Sequence, residues 1–404
     1  MFENVKINNP ERFENDFTVE EAKKALDASI EILKKTLPRF TDSFAMPVGG
    51  FYREAKNGWS KNRYKQSPLP DWTSGMWTGL YWMVYEITKD EAFRQACENH
   101  IKIMQKVADE KIALNDHDIG FKFTPTCVAA YKLTGNEEAK KTALKAAEIL
   151  LEHYCPINKF IIREGLRTDE GNYDGYRTLV DSMMNIPLFF WAYEETGNKA
   201  YYDAAVGHYN TTAKYLVRDD GSSYHHYQFD PETLAPVGGV TWQGNRDESC
   251  WTRGHSWLVY GYPVAYRYTK DEKTVDIHRG VTYYFLNNLP TDLIPYWDFD
   301  FNDFSLEPRD SSAAAVVCAG LLEMSSLLPD DSPDKKFFKN AAGAILKALI
   351  KHCLNKGDEG DGILLHSTGS KPHNLLVDTV ETYADYFFVE ALVRYINPDW
   401  KAYW

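Results

Sequence analysis

Residues 178–191 read Thr-Leu-Val-Asp-Ser-Met-Met-Asn-Ile-Pro-Leu-Phe-Phe-Trp, an apolar stretch with one carboxylate, Asp181, near its start. Apolar residues on every side of a helix indicate that the whole helix is buried. A buried carboxylate is costly unless it is paired or protonated. Asp is also a favoured N-cap, so we expect a buried helix to begin at Asp181. A helix cap that faces a cavity can also act in catalysis, so a capping role for Asp181 does not exclude a catalytic one.

Five short polar hinges divide the chain, and each one ends an apolar helix and opens an amphipathic one. They lie at residues 88–90, 134–136, 196–198, 269–271 and 328–330. Gly or Pro ends the first helix at three hinges, and Asp or Asn can cap the next helix at all five. The pattern therefore predicts five helical hairpins, each joining a buried inner helix to a half-exposed outer helix.

Two further helices, at residues 19–37 and 377–396, flank these hairpins and bring the expected number to twelve. An open solenoid would also suit alternating inner and outer helices. However, the first helix looks outer and the last looks inner, so pairing them would close a ring. We therefore predict an all-α fold, the six-hairpin (α/α)6 barrel, as a single domain over residues 1–404.

Composition restricts the partner and the compartment. The net charge of −13 argues against nucleic acid and anionic membranes as partners. The six cysteines form no CxxC pair, so we expect free thiols rather than zinc ligands or a disulfide framework. The chain shows no signal-peptide pattern and no apolar run long enough to span a bilayer. We expect a cytoplasmic protein that binds a small molecule, and its oligomeric state is open.

Long connections lead from outer to inner helices, and polar or aromatic residues gather where the inner helices begin. In a closed ring these residues converge on one end, where function is expected. Asp118 and Asp181 could form the carboxylate pair of carbohydrate chemistry, although Asp118 could equally cap the next helix. Asp116, His117 and Asp118 could be read as a metal triad. Adjacent ligands seldom converge on one ion, so no metal is expected.

A second cluster surrounds Arg253. Trp257 lies four residues after it on the same helix face, and Trp251 precedes it by two. An Arg between indoles suits a sugar carboxylate, because the guanidinium binds the anion and the rings pack on the sugar. The alternative is a structural ion pair with Asp247 or Glu248.

A histidine pair, His225 and His226, precedes Phe229 in a segment that alternates like a strand. Only one of the two should face the cleft, and a structural histidine is the alternative for each. The sequence contains no P-loop, dinucleotide fingerprint or nucleophile elbow, so no cofactor is expected.

At this point the sequence resembles glycoside hydrolase family 88, the unsaturated glucuronyl hydrolases, over most of its length. The matching segments are residues 71–79, 117–121, 180–185, 229–233 and 243–254. The resemblance implies an (α/α)6 barrel that removes a Δ4,5-unsaturated uronate from lyase-generated glycosaminoglycan disaccharides such as those of chondroitin or hyaluronan. It also implies that the C4=C5 enol ether is hydrated and that the resulting hemiketal opens.

The resemblance assigns roles to individual residues. Asp181 would be the general acid/base, and Asp118 would be a second essential carboxylate. The positions that match substrate contacts are Trp72, His117, His225, Gln243, Trp251, Arg253 and Trp257. A further prediction concerns residues 365–374: Ser367, Ser370 and Lys371, together with Arg246, would hold a sulfate on the penultimate amino sugar. An ordinary Ser/Gly turn is the alternative for this loop.

Three other functions stay open. An unsaturated rhamnogalacturonyl hydrolase would use the same ring and chemistry on pectin fragments. A sugar 2-epimerase would use the same barrel, with His225 and His226 as bases. A non-enzymatic helical-repeat protein would bind sugars without turnover.

Overall fold

The computed structural model describes residues 2, 5–14, 16–48, 62–163, 176–357 and 359–404. Within this part of the chain, the twelve principal helices are α1 (Val19–Thr36), α2 (Ser74–Thr88), α3 (Glu91–Asp109), α4 (residues 119–134), α5 (Glu137–Glu152), α6 (Pro187–Thr196), α7 (Lys199–Tyr215), α8 (Thr252–Thr269), α9 (Glu272–Asn287), α10 (Ser311–Leu327), α11 (Pro333–His352) and α12 (Thr382–Ile396). Helix α4 consists of Ile119–Phe123, a π-helical turn at Thr124–Val128, and Ala129–Thr134.

The predicted hinges join inner helices to outer ones as expected. At four of them the inner helix ends on a residue with left-handed φ: Lys89, Gly135, Gly197 and Lys270. The following outer helix is capped by a side chain that accepts a backbone N–H: Asp90, Asn136, Asn198 and Asp271. The fifth hinge differs, because α11 begins at Pro333 after Ser332 and Asp330 is not its cap.

The even-numbered helices form a closed inner ring. Each inner helix contacts the next one in sequence, and α12 returns to contact α2. Helix α1 packs against α12, so the first outer helix pairs with the last inner helix. This arrangement confirms the predicted (α/α)6 barrel. The six cysteines are buried and form no disulfide, as predicted.

Short strands occupy the long connections. Strands β1 (Phe44–Val48) and β2 (Arg63–Ser67) pair, as do β3 (Tyr154–Cys155) and β4 (Phe160–Ile161), while β5 (Arg177–Leu179), β6 (His226–Phe229) and β7 (Pro236–Val240) form an antiparallel sheet. Two of the predicted long connections are only partly described. Residues 49–61, between α1 and α2, and residues 164–175, between α5 and α6, lie outside the described residues. In the described part, no helix is both long and apolar enough to cross a membrane.

The buried helix predicted to begin at Asp181 begins instead at Pro187. Residues Val180–Met184 form a 3-10 turn, and the described chain shows no side-chain cap at its first residue. Pro187 fits the first turn of α6, where a missing backbone N–H costs nothing. The carboxylate of Asp181 is therefore not used as a helix cap. The prediction of burial was correct, since residues 187–192 are all buried.

Two glycines let the inner elements approach closely near Asp181. A Cβ on Gly75 would lie 2.1 Å from the carbonyl oxygen of Phe121, and a Cβ on Gly120 would lie 2.4 Å from the Cα of Asn185. Real side chains never come this close, so only glycine permits these contacts. They hold α2, α4 and the 3-10 turn at short, fixed separations.

Gly120→Ala should lower the free energy of unfolding by about 2 kcal/mol, because the added methyl group would meet backbone atoms that cannot rotate away. Urea denaturation of the variant measures this loss. Gly238→Ala is the matched control, since a Cβ there would have no described atom within 4 Å. Equal stability of the two variants would show that the contact is not a constraint.

Candidate active site

The starts of the inner helices meet at one end of the ring, which we call the mouth. Trp72, before α2, stacks on Tyr383 at the start of α12, with ring centroids 5.1 Å apart. The guanidinium of Arg253, at the start of α8, lies 4.9 Å from the Tyr383 ring and 3.2 Å from Asp310, before α10. The polar and aromatic residues predicted to gather at the starts of the inner helices therefore converge at one end, as a closed ring requires.

The two predicted catalytic carboxylates lie in one largely buried site, with 18% of the Asp118 side chain and 13% of the Asp181 side chain exposed. Asp118 occupies the N-cap position of α4, yet in the described chain its side chain accepts no capping hydrogen bond. Its Oδ1 lies 3.3 Å from His117 Nε2. Burial raises the pKa of Asp118 to about 6; the charge on Asp181 adds to the rise and His117 opposes it. Burial also raises the pKa of Asp181, so the protonated form of each acid is favoured.

His225 faces Asp181. The backbone N–H of Val180 donates to the His225 carbonyl at 3.2 Å, which brings the histidine beside the 3-10 turn. Its Nδ1 accepts the backbone N–H groups of Trp242 and Gln243, both at 3.3 Å, so the ring proton is on Nε2. That Nε2 lies 3.8 Å from Asp181 Oδ2. This separation is too long for a hydrogen bond, and within the described residues neither atom has a hydrogen-bond partner.

The ring of His225 is neutral. Burial holds its pKa well below the usual value, and nearby His226 and Arg253 lower it further. A neutral ring with its proton on Nε2 can donate a hydrogen bond to Asp181 but adds no positive charge. The ring of His226, which pairs with Leu179 in the sheet, lies against the ring of His225 with centroids 3.8 Å apart, so the two side chains do not point apart as the sequence analysis expected.

Asn185 is a site residue that the sequence analysis missed. Its Oδ1 accepts the backbone N–H of Phe121 at 2.8 Å, and its Nδ2 donates to the Asp181 carbonyl at 3.3 Å. This fully buried side chain therefore joins the segment that carries Asp118 to the turn that carries Asp181. A polar residue in an otherwise apolar stretch was the available signal.

Asp116 does not act with its neighbours as a metal triad. Its carboxylate pairs with the buried Lys122 at 3.1 Å and accepts the backbone N–H of Asp118 at 2.9 Å. Lys122 also donates to the carbonyl of Ala113 at 2.8 Å, which fixes this arrangement. Across the described ranges, no three His, Cys, Asp or Glu side chains are placed to hold a metal ion.

Arg253 is buried and its ion pair differs from the one expected. Its partner is Asp310 at 3.2 Å, so the alternative pairing with Asp247 or Glu248 is wrong. Its two terminal nitrogens also donate to the carbonyls of Thr368 and Gly369. Among the described residues, only Nε is left without a partner. The guanidinium fork is thus engaged by protein, and a substrate carboxylate can use only Nε and the positive charge.

The aromatic residues divide into two groups. Trp72 is partly exposed, and Trp251 lies against His225 with ring centroids 4.3 Å apart. Trp257 has 0% exposure and packs between Phe121 and Phe387 at 5.2 and 5.6 Å. The prediction that Trp257 contacts substrate is therefore corrected, because its ring lies in the core beneath the site.

Residues 366–374, which we call the rim loop, contain the predicted sulfate cradle. Ser370 Oγ is bonded to His373 Nδ1 at 2.7 Å, and Lys371 lies 3.3 Å from Glu307. Ser367 has no exposed surface, and its hydroxyl bonds to Ser311 at 2.8 Å. The loop is tied to the site by Gln243, whose Nε2 donates to the Gly369 carbonyl at 3.0 Å.

Arg246 does not join this cradle. Its Nε and one terminal nitrogen bind both carboxylate oxygens of Asp300 at 2.9 Å, and Glu248 lies 3.4 Å away. The charge of Arg246 is therefore offset by acids in its own neighbourhood. Of the four residues predicted to hold a sulfate, Ser367 and Ser370 are buried, and Arg246 and Lys371 are each paired with an acid.

Glu381 is a third buried acid, which the sequence analysis also missed. It precedes α12 and is 1% exposed, and within the described structure its Oε1 has no hydrogen-bond partner. Burial raises its pKa to about 8, although Arg253 opposes the rise. A polar residue before an inner helix was the same signal that identified the other clusters.

Comparison with known proteins relates the chain to carbohydrate-active enzymes. The family model of Glycosyl Hydrolase Family 88 matches residues 50–372. An unsaturated chondroitin disaccharide hydrolase of Streptococcus pneumoniae is 41% identical over 402 residues, covering 99% of this chain and 98% of the relative. The crystal structure of the unsaturated glucuronyl hydrolase from Streptococcus agalactiae matches with a TM-score of 0.92 at 36% identity, over 100% of this chain and 99% of that one. A mutant of the latter, complexed with dGlcA-GalNAc6S, matches with a TM-score of 0.85 at 35% identity, over 99% and 98% of the two chains.

The raised pKa of Glu381 predicts how stability depends on pH. The native state holds a proton that the unfolded state releases, so the free energy of unfolding falls as pH rises towards the folded pKa of about 8. Glu381→Gln removes this proton. Between about pH 6 and pH 7.5, the free energy of unfolding should fall more steeply with pH in the wild type than in the variant. The difference in slope should be about 1.4 kcal/mol per pH unit.

Urea denaturation at several pH values gives the slope of unfolding free energy against pH for the wild type and for Glu381→Gln. The buried histidines contribute equally to both slopes, so subtracting one slope from the other removes their contribution. Glu110→Gln changes an exposed glutamate and should keep the wild-type slope. Parallel slopes for the wild type and Glu381→Gln would contradict the prediction.

Proposed function

The chain belongs to glycoside hydrolase family 88, and we propose that it removes a Δ4,5-unsaturated uronate from the non-reducing end of lyase-generated glycosaminoglycan disaccharides. The observation that carries this proposal is the facing pair of Asp181 Oδ2 and His225 Nε2, 3.8 Å apart in a buried site. The similarity to an unsaturated chondroitin disaccharide hydrolase and to an enzyme complexed with dGlcA-GalNAc6S favours chondroitin fragments over pectin fragments as substrates. We also propose that residues 1–404 act as one catalytic domain.

The proposed reaction begins with the protonated acid of Asp181. Its proton passes to C4 of the enol ether, and the positive charge that develops at C5 is shared with the ring oxygen. Water then adds to C5 and gives a proton to the Asp181 carboxylate, which restores the acid. The hemiketal opens and the bond from C1 to the next sugar breaks. Burial of Asp181 supports this role, because it favours the protonated form before the reaction.

His225 and Asp118 assist this acid. After proton transfer Asp181 is a largely buried carboxylate, and the Nε2–H of His225 faces it at 3.8 Å. Asp118, beside His117, would accept hydrogen bonds from hydroxyl groups of the unsaturated ring. Burial raises the pKa of both acids, and the charge on Asp181 adds to the rise for Asp118, which favours a protonated acid before the reaction.

The remaining predicted contacts surround this pair. The charge and free Nε of Arg253 would attract the uronate carboxylate. Trp72 offers a partly exposed ring surface, Trp251 packs behind His225 and Arg253, and Gln243 links the sugar site to the rim loop. These roles rest on placement in the structure and on the resemblance of the motifs.

Asp181→Asn should lower kcat by at least about a hundredfold while substrate binding survives, because the amide keeps the shape of the acid but cannot deliver a proton. Loss of absorbance of the conjugated uronate measures turnover, and calorimetry measures binding of the unsaturated disaccharide. Asp118→Asn should also be severely impaired. Asp203→Asn, an exposed position on α7, is the control. Near-full turnover by Asp181→Asn would remove this residue from the mechanism.

Lys371→Ala should raise KM for a disaccharide sulfated on the amino sugar by about tenfold and affect the unsulfated one far less, since only the sulfate needs the ammonium group. Kinetics on matched sulfated and unsulfated disaccharides check this. Lys102→Ala removes an exposed lysine from α3 and should change neither substrate. Equal losses on both substrates would mean that Lys371 supports the loop through Glu307.

A further inference from the structure

An exposed aromatic stack lies at the rim of the mouth. The indole of Trp242 packs on the imidazole of His373 with ring centroids 4.2 Å apart and planes 23° from parallel. Trp242 is 55% exposed, in contrast to the buried Trp251 and Trp257. His373 covers one face of the indole, so the exposed surface includes the opposite face. We call these two rings the stacking platform.

The platform is attached to the active site on both sides. The backbone N–H of Trp242 donates to His225 Nδ1 at 3.3 Å, and that histidine faces Asp181. On the other side, Ser370 Oγ bonds to His373 Nδ1 at 2.7 Å. The rings are therefore held in position by groups that the proposed function already uses.

The order of these contacts fixes a direction away from the reacting bond. Asp181 and His225 lie at the unsaturated ring, and Ser370 and Lys371 in the rim loop are proposed to reach the penultimate sugar. His373 comes after Lys371 in that loop, and the side chain of Trp242 packs on it. The platform therefore borders the residues proposed to hold the penultimate sugar, where a longer chain would continue.

The chemistry of the platform suits a sugar ring. Flat aromatic faces pack against the C–H faces of sugars, which are apolar, while hydroxyl groups at the ring edge stay in water. A stack that served only to pin the two loops together would gain most from full burial, yet more than half of the Trp242 surface is exposed. The open face therefore calls for a ligand that binds from the solvent side.

We propose that Trp242 and His373 form a subsite for the third sugar, counted from the unsaturated end, of longer unsaturated oligosaccharides. This inference rests on the proposed function of the adjacent site. The platform would contact the third sugar and not the reacting ring, so its contacts are the same in the ground state and the transition state. It lowers KM for longer substrates and leaves kcat nearly the same.

The test compares an unsaturated disaccharide with the unsaturated tetrasaccharide from the same polymer. Trp242→Ala should raise KM for the tetrasaccharide about tenfold more than KM for the disaccharide, with similar kcat values. Phe304→Ala is the control, because Phe304 is 95% exposed in a neighbouring connection and contributes nothing to the platform. An equal rise for both substrates, or no rise for either, would overturn the subsite.

Binding separates this inference from the proposed reaction. Calorimetry with Asp181→Asn and with the double variant Asp181→Asn/Trp242→Ala measures the affinity for the same two oligosaccharides without turnover. The added Trp242→Ala change should weaken tetrasaccharide binding about tenfold more than disaccharide binding. If the wild type hydrolyses neither substrate, the proposed function fails, and this difference in binding still decides whether the subsite exists.

Discussion

The close contact between Gly120 and Asn185 is the constraint on which the catalytic arrangement depends. It presses the start of α4 against the 3-10 turn, so that backbone meets backbone with no side chain between them. The Asn185 amide then bonds to both segments, which fixes their relative position as well as their separation. Asp118 and Asp181 therefore share one buried site, and the same burial raises the pKa of each.

The electrostatics of the mouth follow from an excess of buried acids. Arg253 is the buried cation at the centre of this site, and it is surrounded by Asp310, Glu381 and Asp181. One positive charge cannot balance three ionised carboxylates in a site with little water. Some of these acids are therefore protonated near neutral pH, as the raised pKa of Glu381 indicates. Asp310 is the acid that pairs with Arg253, and a protonated Glu381 adds no further negative charge, so an anionic substrate meets less repulsion there.

The sequence predicted those features that local patterns encode. Helix periodicity and polar hinges predicted twelve helices and the closed ring, and motifs identified Asp118, Asp181 and His225. Contacts between distant positions were beyond that reasoning. The pairing of Arg253 with Asp310 and the burial of Trp257 depend on which helices become neighbours in the ring. The start of α6 was misplaced because the favourable cap chemistry of Asp181 competed with a 3-10 turn that the ring packing stabilises.

Chemistry and specificity reside in different parts of this barrel. The acids lie at helix starts and in the 3-10 turn, where close packing with Gly75 and Gly120 leaves no room for change. The rim loop and the segment around Trp242 meet through few contacts, chiefly the Gln243 amide and the stack on His373. Side-chain substitutions in these loops leave those close contacts intact. On the proposed assignment of the second and third sugars to these loops, oligosaccharide preference can change while the acid keeps its position.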